Sequence, residues 1–263
     1  MRRFLCFSLF TMLAVVVSAQ QIALKADPSA EILQRMAAAT GWNATSTPSS
    51  LAIAGTTTFE SSEDRSSSPF SVRATSTGKF AHEYTSSSGK KARLVVGDSG
   101  NAISRDTKQR SLPPHAVMAM AKAFFPFYGA MGNVERGDLR SEYVGLDTVN
   151  SRATYQIRLN YVVRDPNSAN EVLQAKLNAI VVWIDTATFL PVQIEYKHYA
   201  STNLSAYMVR RRLYSDFRKV GEVLFPHRQE ETNEGVRIVY EVSAVEINPP
   251  LQSSDFTLTQ GGR

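Results

Sequence analysis

The chain is almost devoid of cysteine: Cys6 is the only one in 263 residues. It sits in an apolar run near the N-terminus, so from Gln20 onward disulfides, thiol chemistry and cysteine-type zinc sites are excluded. Long apolar runs are equally scarce. The stretch from Phe4 to Val17 follows Met1-Arg2-Arg3 and is shorter than the about 20 residues that a membrane-spanning helix needs. A basic start, a short apolar segment and Val17-Ser18-Ala19 before Gln20 form the pattern of a cleaved secretory signal. A lipid anchor would require cysteine directly after that run, where Gln20 stands. The expected organisation is a signal at 1–19, a short leader at 20–26 and a single domain over 27–263, delivered to the periplasm and soluble there.

Excess charge is also missing. Residues 1–19 carry two arginines and no other charged residue, so their removal lowers the net charge from +5 to +3. A balance that small argues against a dedicated nucleic-acid binder. The clusters Lys90-Lys91 and Arg210-Arg211-Arg212 read as solvated strand faces or hairpin ends, and Glu230, Glu231 and Glu234 as solvated charge around a hairpin.

Motifs that carry chemistry are absent. There is no G-x-S-x-G elbow and no phosphate-cradling glycine loop. Four histidines, His82, His115, His198 and His227, are too dispersed to suggest a metal site. Gly97-Asp98-Ser99-Gly100 has the letters of a serine-protease nucleophile segment, but the only upstream histidine is His82, too close to supply the base from another barrel. The tetrapeptide reads as a hairpin turn. No enzyme activity, cofactor or metal is expected.

What is present is alternation. Leu51, Ile53, Gly55, Thr57 and Phe59 alternate as a strand. Phe70–Thr75, Lys79–Thr85, Arg93–Val96 and Asn101–Ser104 read as further strands, with 61–68 as a polar turn. Tyr155, Ile157, Leu159, Tyr161 and Val163 alternate with polar residues. Leu177 to Trp183 reads as one strand, apolar on both faces toward its end. Val192, Ile194 and Tyr196 follow, then a long Arg-rich strand from Tyr207 to Phe217, then Val223–Arg228 and beyond. Ile238, Tyr240 and Val242 alternate before the apolar set shifts to Val245 and Ile247, which predicts a bulge near Ala244. Two helices are predicted. Asp27-Pro28 starts the first, Ile32, Leu33, Met36, Ala37 and Thr40 share one face, and Gly41 stops it. The second follows Pro113-Pro114, with Val117, Met120, Ala121, Phe124 and Phe125 at helical spacing, and Pro126 ends or kinks it. The fold class is therefore mainly β, a curved antiparallel meander of about ten strands with an N-terminal helix and a plug helix.

Several segments resemble the LolA/LolB-like superfamily of outer-membrane lipoprotein carriers. They are the Asp27-Pro28 to Met36 helix, the Gly55 strand, Val182-Trp183-Ile184-Asp185 through Leu190-Pro191, Tyr214–Phe217 with Val220-Gly221 and Phe225-Pro226, and the closing Ile247-Asn248-Pro249 with Asp255-Phe256. The resemblance implies a half-open β-barrel around a helical plug, with an apolar cavity for acyl chains. This chain departs from it in length, in a Ser/Thr-rich stretch at 43–50 and in the polar 61–68 loop. The aromatic-rich region Phe124, Phe125, Phe127 and Tyr128 then becomes part of a lid over the cavity. The expected lining is Val117, Met120, Phe124, Phe125, Tyr128, Tyr155, Ile157, Leu159, Tyr161, Trp183 and Ile194, each of which also suits an ordinary packed core. The expected function is a monomeric carrier of an apolar or acylated ligand, compatible with transient membrane contact. An envelope protein-interaction module recognising a partner at a sheet edge or at 210–212 is the alternative. A hydrolase is a third reading and needs His198 or His227 beside a carboxylate.

Overall fold

Alternating burial along the strands sets the architecture. The computed structural model describes residues 27–42, 48–86, 88–97, 100–106, 108–113, 124–126, 139–200, 202–233 and 235–258. The predicted signal and leader, and most of the predicted plug helix, including Val117, Met120 and Tyr128, lie outside them.

Thirteen strands form one antiparallel sheet: β1 Ser50–Glu60, β2 Arg65–Thr75, β3 Phe80–Thr85, β4 Lys91–Gly97, β5 Gly100–Arg105, β6 Lys108–Ser111, β7 Leu139–Val149, β8 Arg152–Tyr161, β9 Ile180–Asp185, β10 Pro191–Ala200, β11 Asn203–Val220, β12 Val223–Asn233 and β13 Val236–Ile247. Their order is β6-β5-β4-β3-β2-β1-β13-β12-β11-β10-β9-β8-β7. Two consecutive meanders are thus joined where the first strand pairs with the last. The edge strands β6 and β7 do not pair with each other, so the sheet is open rather than a closed barrel.

The β1–β13 seam carries the predicted bulge. Ala54 faces Ala244 and Gly55 faces Val242, which leaves Ser243 unpaired. The crowding there explains Gly55: a Cβ at that position would lie 2.1 Å from the Glu241 carbonyl oxygen.

Helix α1, Ser29–Thr40, buries Ile32, Leu33, Met36, Ala37 and Thr40, the face expected from the sequence. It packs between β12 and the edge strand β7, and its apolar face joins the main core. Asp27 fixes its start, accepting from the Ser29 amide (2.8 Å) and from the Tyr143 amide of β7 (3.2 Å). Gly41 ends it at φ 76°, against the β12 backbone.

Three differences from the sequence reading have clear causes. Burial alternates along most of strand β7, but Ser141 and Gly145 take inward positions while Val144 and Leu146 are 40% and 69% exposed, so residue types did not reveal it. The 61–68 turn is shorter than predicted, because β2 starts at Arg65 and its serines occupy strand positions. Leu177 belongs to a helix, α2 Ala169–Asn178, and β9 begins only at Ile180. Helix α2 has a capping signature: the Ser168 hydroxyl accepts from the Glu171 amide, and the Glu171 carboxylate accepts from the Arg164 and Asp165 amides.

Candidate functional site

The concave face of the sheet holds most of the residues expected to line a cavity, as packed core, and none of them lines the cleft found there. Ile157, Leu159 and Ile194 are fully buried in the main core, and Tyr155 and Tyr161 pack half-buried against it. Phe124 and Phe125 belong to the same core. With Pro126 they form a turn, the described part of the predicted plug. Trp183 is the exception. Ile180, Val182 and Ile184 take the inward positions of β9, which sends Trp183 to the convex face beside Val149 and Val192. There its indole N–H donates to Asp147 Oδ2 at 2.8 Å. An apolar run that alternates inward at every second residue cannot also point its tryptophan inward.

The centre of the concavity is filled by rings. Phe124 packs against Phe80, His82 and Tyr240, and Phe125 against Trp42, Tyr214, Phe217 and Phe225, all with centroids 5.0–5.9 Å apart. Space opens beside this cluster, where the β6 end of the curved sheet faces its interior strands β10 and β11. A cleft of about 400 Å³ lies between β4–β6 and β10–β11. Its apolar lining includes Leu94, Ile103, Leu112, Tyr207 and Met208, and its basic lining Arg105, Arg110 and His198. That volume falls in the range of small-molecule sites, about 300–1,000 Å³.

Between cleft and ring cluster lies a buried ionic group that the sequence reading missed. Of the 210–212 stretch only Arg211 is on a solvated face, and Glu231 is not a solvated hairpin charge. Alternation on β11 turns Arg210 and Arg212 inward, and Arg212 pairs in register with Glu231 of β12. The side chains of Arg212 and Glu231 are each only 4% exposed. The Glu231 carboxylate accepts from Arg210 Nη1 (2.6 Å), Arg212 Nη2 (3.0 Å), Arg212 Nε (3.3 Å) and the Tyr196 hydroxyl (2.9 Å). Burial alone would raise its pKa, but Arg212 and Arg210 outweigh that and hold it below the usual carboxylate range. The Arg212 guanidinium also lies over the rings of Phe124 and Tyr240, at 4.5 and 4.8 Å. The period-two spacing Arg210-x-Arg212 opposite an inward Glu231 was the available signal.

Several buried polar atoms nearby have no hydrogen-bond partner among the described residues: both amide atoms of Gln229, Arg212 Nη1, Arg210 Nε, His82 Nε2 and Thr57 Oγ1. His82 is pushed down to about 3 by burial and then by Arg212. It is neutral in the folded state, whereas the unfolded chain protonates near 6.5. Acid therefore favours unfolding, and stability falls as pH drops below 6.5. Between pH 7 and pH 5 the loss from His82 is about 2 kcal/mol. His82→Phe fits the surrounding rings and is expected to remove most of that slope in denaturant titrations at the two pH values. An unchanged slope would place the titration elsewhere, with His198, also lowered chiefly by burial, the first group to test.

Among the described residues, none of His82, His198 and His227 hydrogen-bonds a carboxylate, and His227 Nδ1 instead meets the Val242 carbonyl oxygen at 2.9 Å. Nor does any group of three His, Asp or Glu among them have the geometry to hold a metal ion.

An open antiparallel half-barrel with a helix and a ring cluster filling its hollow is the LolA-like fold. No protein-family model matches the sequence, and no curated protein matches it. Solved structures do. A LolA superfamily protein from Nitrosomonas europaea is 12% identical, with 88% of this chain and 97% of that one covered and a TM-score of 0.54. A DUF1329 family protein from Desulfovibrio piger gives 11% identity, 88% and 98% coverage and a TM-score of 0.53. A putative outer membrane lipoprotein-sorting protein domain from Vibrio parahaemolyticus gives 12%, 86% and 94%, and 0.50. Identities this low establish a common fold, which is the one the sequence resemblance implied.

Proposed function

We propose that the protein is an exported, non-enzymatic periplasmic carrier that shelters a lipid or an acylated, lipoprotein-like ligand. The observation that carries this reading is the cleft on the concave face, where the partly exposed Met208 stands over a floor formed by the buried Leu94, Ile103 and Leu112. Each ligand methylene removed from water there contributes about 0.8 kcal/mol, so an acyl chain binds without a specific polar partner. The signal-like residues 1–19 and the fold shared with a lipoprotein-sorting domain support export and carriage.

The test is binding of an environment-sensitive fluorescent fatty acid to the protein lacking residues 1–19. Met208→Trp, which fills the cleft from a position already 37% exposed, is expected to weaken binding about tenfold, the equivalent of losing about two methylenes from contact. A wild-type protein that leaves the probe free in water would end the carrier reading.

A second reading has one specific observation behind it. Strand β11 pairs with β12 only from Arg212 onward. Its first half, Asn203 to Arg211, has no strand on that side among the described residues, and Tyr207 and Val209 are 47% and 50% exposed there. A free edge of this kind accepts an extended peptide. Val209→Lys, which would block such pairing, should leave lipid binding alone and abolish capture of a peptide partner.

A further inference from the structure

The cleft carries charge of one sign. Strands β4, β5 and β6 pair Leu94 with Ile103, Ile103 with Arg110, and Arg105 with Lys108. Cross-strand partners share a face, so Arg105, Lys108 and Arg110 stand on the concave side with the apolar residues. Arg105 and Arg110 line the cleft directly, and no carboxylate is among the described residues of the lining. Neither arginine, nor Lys108, has an acidic partner among the described residues. Several other arginines of the sheet are neutralised: Arg93 by Glu83, Arg211 by Glu195, and Arg228 by Glu230 and Glu241. Deeper on the same face, Arg210 and Arg212 share the carboxylate of Glu231, the one acidic partner they have among the described residues. His198 joins the two regions, lining the cleft and feeling the charge of Arg210. An apolar wall beside unpaired guanidinium groups, with positive charge behind, complements a molecule that is apolar along its length and negative at one end. A neutral lipid would leave both arginines unused, and a cationic one would be repelled.

We propose that the ligand is an anionic amphiphile, its carboxylate or phosphate held at the mouth of the cleft by Arg105 and Arg110 and its chain lying along Leu94, Ile103, Leu112 and Met208. This rests on the carrier reading and names the ligand class that reading leaves open. Guanidinium groups form paired, charge-assisted hydrogen bonds with either anion, so a free fatty acid and a phosphate-headed lipid are both within the class.

The experiment displaces a neutral apolar dye, N-phenyl-1-naphthylamine, from the protein lacking residues 1–19. The competitors are dodecanoate, dodecyl phosphate and dodecanol, all kept below their micelle thresholds. Both anions should compete at concentrations about tenfold lower than the alcohol, the equivalent of one or two charge-assisted contacts. In Arg105→Gln/Arg110→Gln the anion-to-alcohol ratio should fall to near one. Each single variant should remove part of it, which keeps the test valid if the double variant does not fold. Raising the salt should shrink the ratio in the wild type, because the arginines are exposed. A preference for dodecanoate alone or dodecyl phosphate alone identifies the source of the anion and supports the proposal. Equal competition by anions and alcohol overturns the head-group assignment and leaves the carrier reading standing. An anion preference that survives both substitutions overturns the assignment to Arg105 and Arg110. A protein that does not take up the dye at all overturns both.

Discussion

Glu231→Ala is expected to destabilise the fold by about 3–5 kcal/mol, the range for removing one partner from a buried ion pair. The carboxylate it deletes accepts four hydrogen bonds and faces two guanidinium groups, one of them 4% exposed. With Glu231 gone, Arg212 retains its charge between Phe124 and Tyr240 with no counterion, and the Tyr196 hydroxyl loses its acceptor. For a domain of this size the loss corresponds to a melting temperature lower by about 6–20 °C. The double replacement Arg212→Met/Glu231→Leu removes both charges and should recover much of the loss, because an apolar pair of similar volume often matches a buried ion pair in stability. Thermal or denaturant unfolding of the three proteins checks this. If Glu231→Ala costs less than about 1 kcal/mol, water reaches the cluster and the interior is open much further than the side-chain exposures indicate.

Phe125→Ala carries the second large effect, about 3–5 kcal/mol as for other buried phenylalanines cut to alanine. Phe125 is 2% exposed, and four aromatic residues drawn from β11, β12 and the end of α1 surround its ring. The substitution tests how firmly the turn Phe124–Pro126 is anchored in the core. A large loss of stability shows anchoring. A loss under about 1 kcal/mol, accompanied by stronger dye uptake, would mean that Phe125 occupies ligand space and leaves it readily.

Both substitutions concern the face that the sequence disclosed most clearly and, in one respect, concealed. Period-two alternation gave the strands Tyr155–Tyr161 and Val192–Tyr196, the bulge beside Ala244 and the buried face of α1, because those segments separate apolar from polar residues cleanly. It could not give β7, where Val144 and Leu146 face solvent while Ser141 and Gly145 face in, nor β6, Lys-Gln-Arg-Ser, which carries no apolar residue. Trp183 was assigned to the cavity by residue type, although the parity of Ile180, Val182 and Ile184 already sent it to the other face. Arg212 and Glu231 were read as surface charges because composition assigns charge to the surface. Only strand pairing reveals that the same alternation which buries Ile194 also buries Arg212, directly opposite Glu231. The cleft itself was illegible, since its walls come from strands about a hundred residues apart that meet only when the sheet curls.

The most direct test of ligand carriage is native mass spectrometry of the protein purified from the envelope of its own host, followed by organic extraction. The expected result is a mature chain beginning at Gln20 that carries close to one equivalent of an acyl-chain species, released into the organic phase. A mature chain of bare mass, from a preparation that also takes up no fatty-acid probe, would contradict carriage and turn attention to a peptide partner at the free edge of β11.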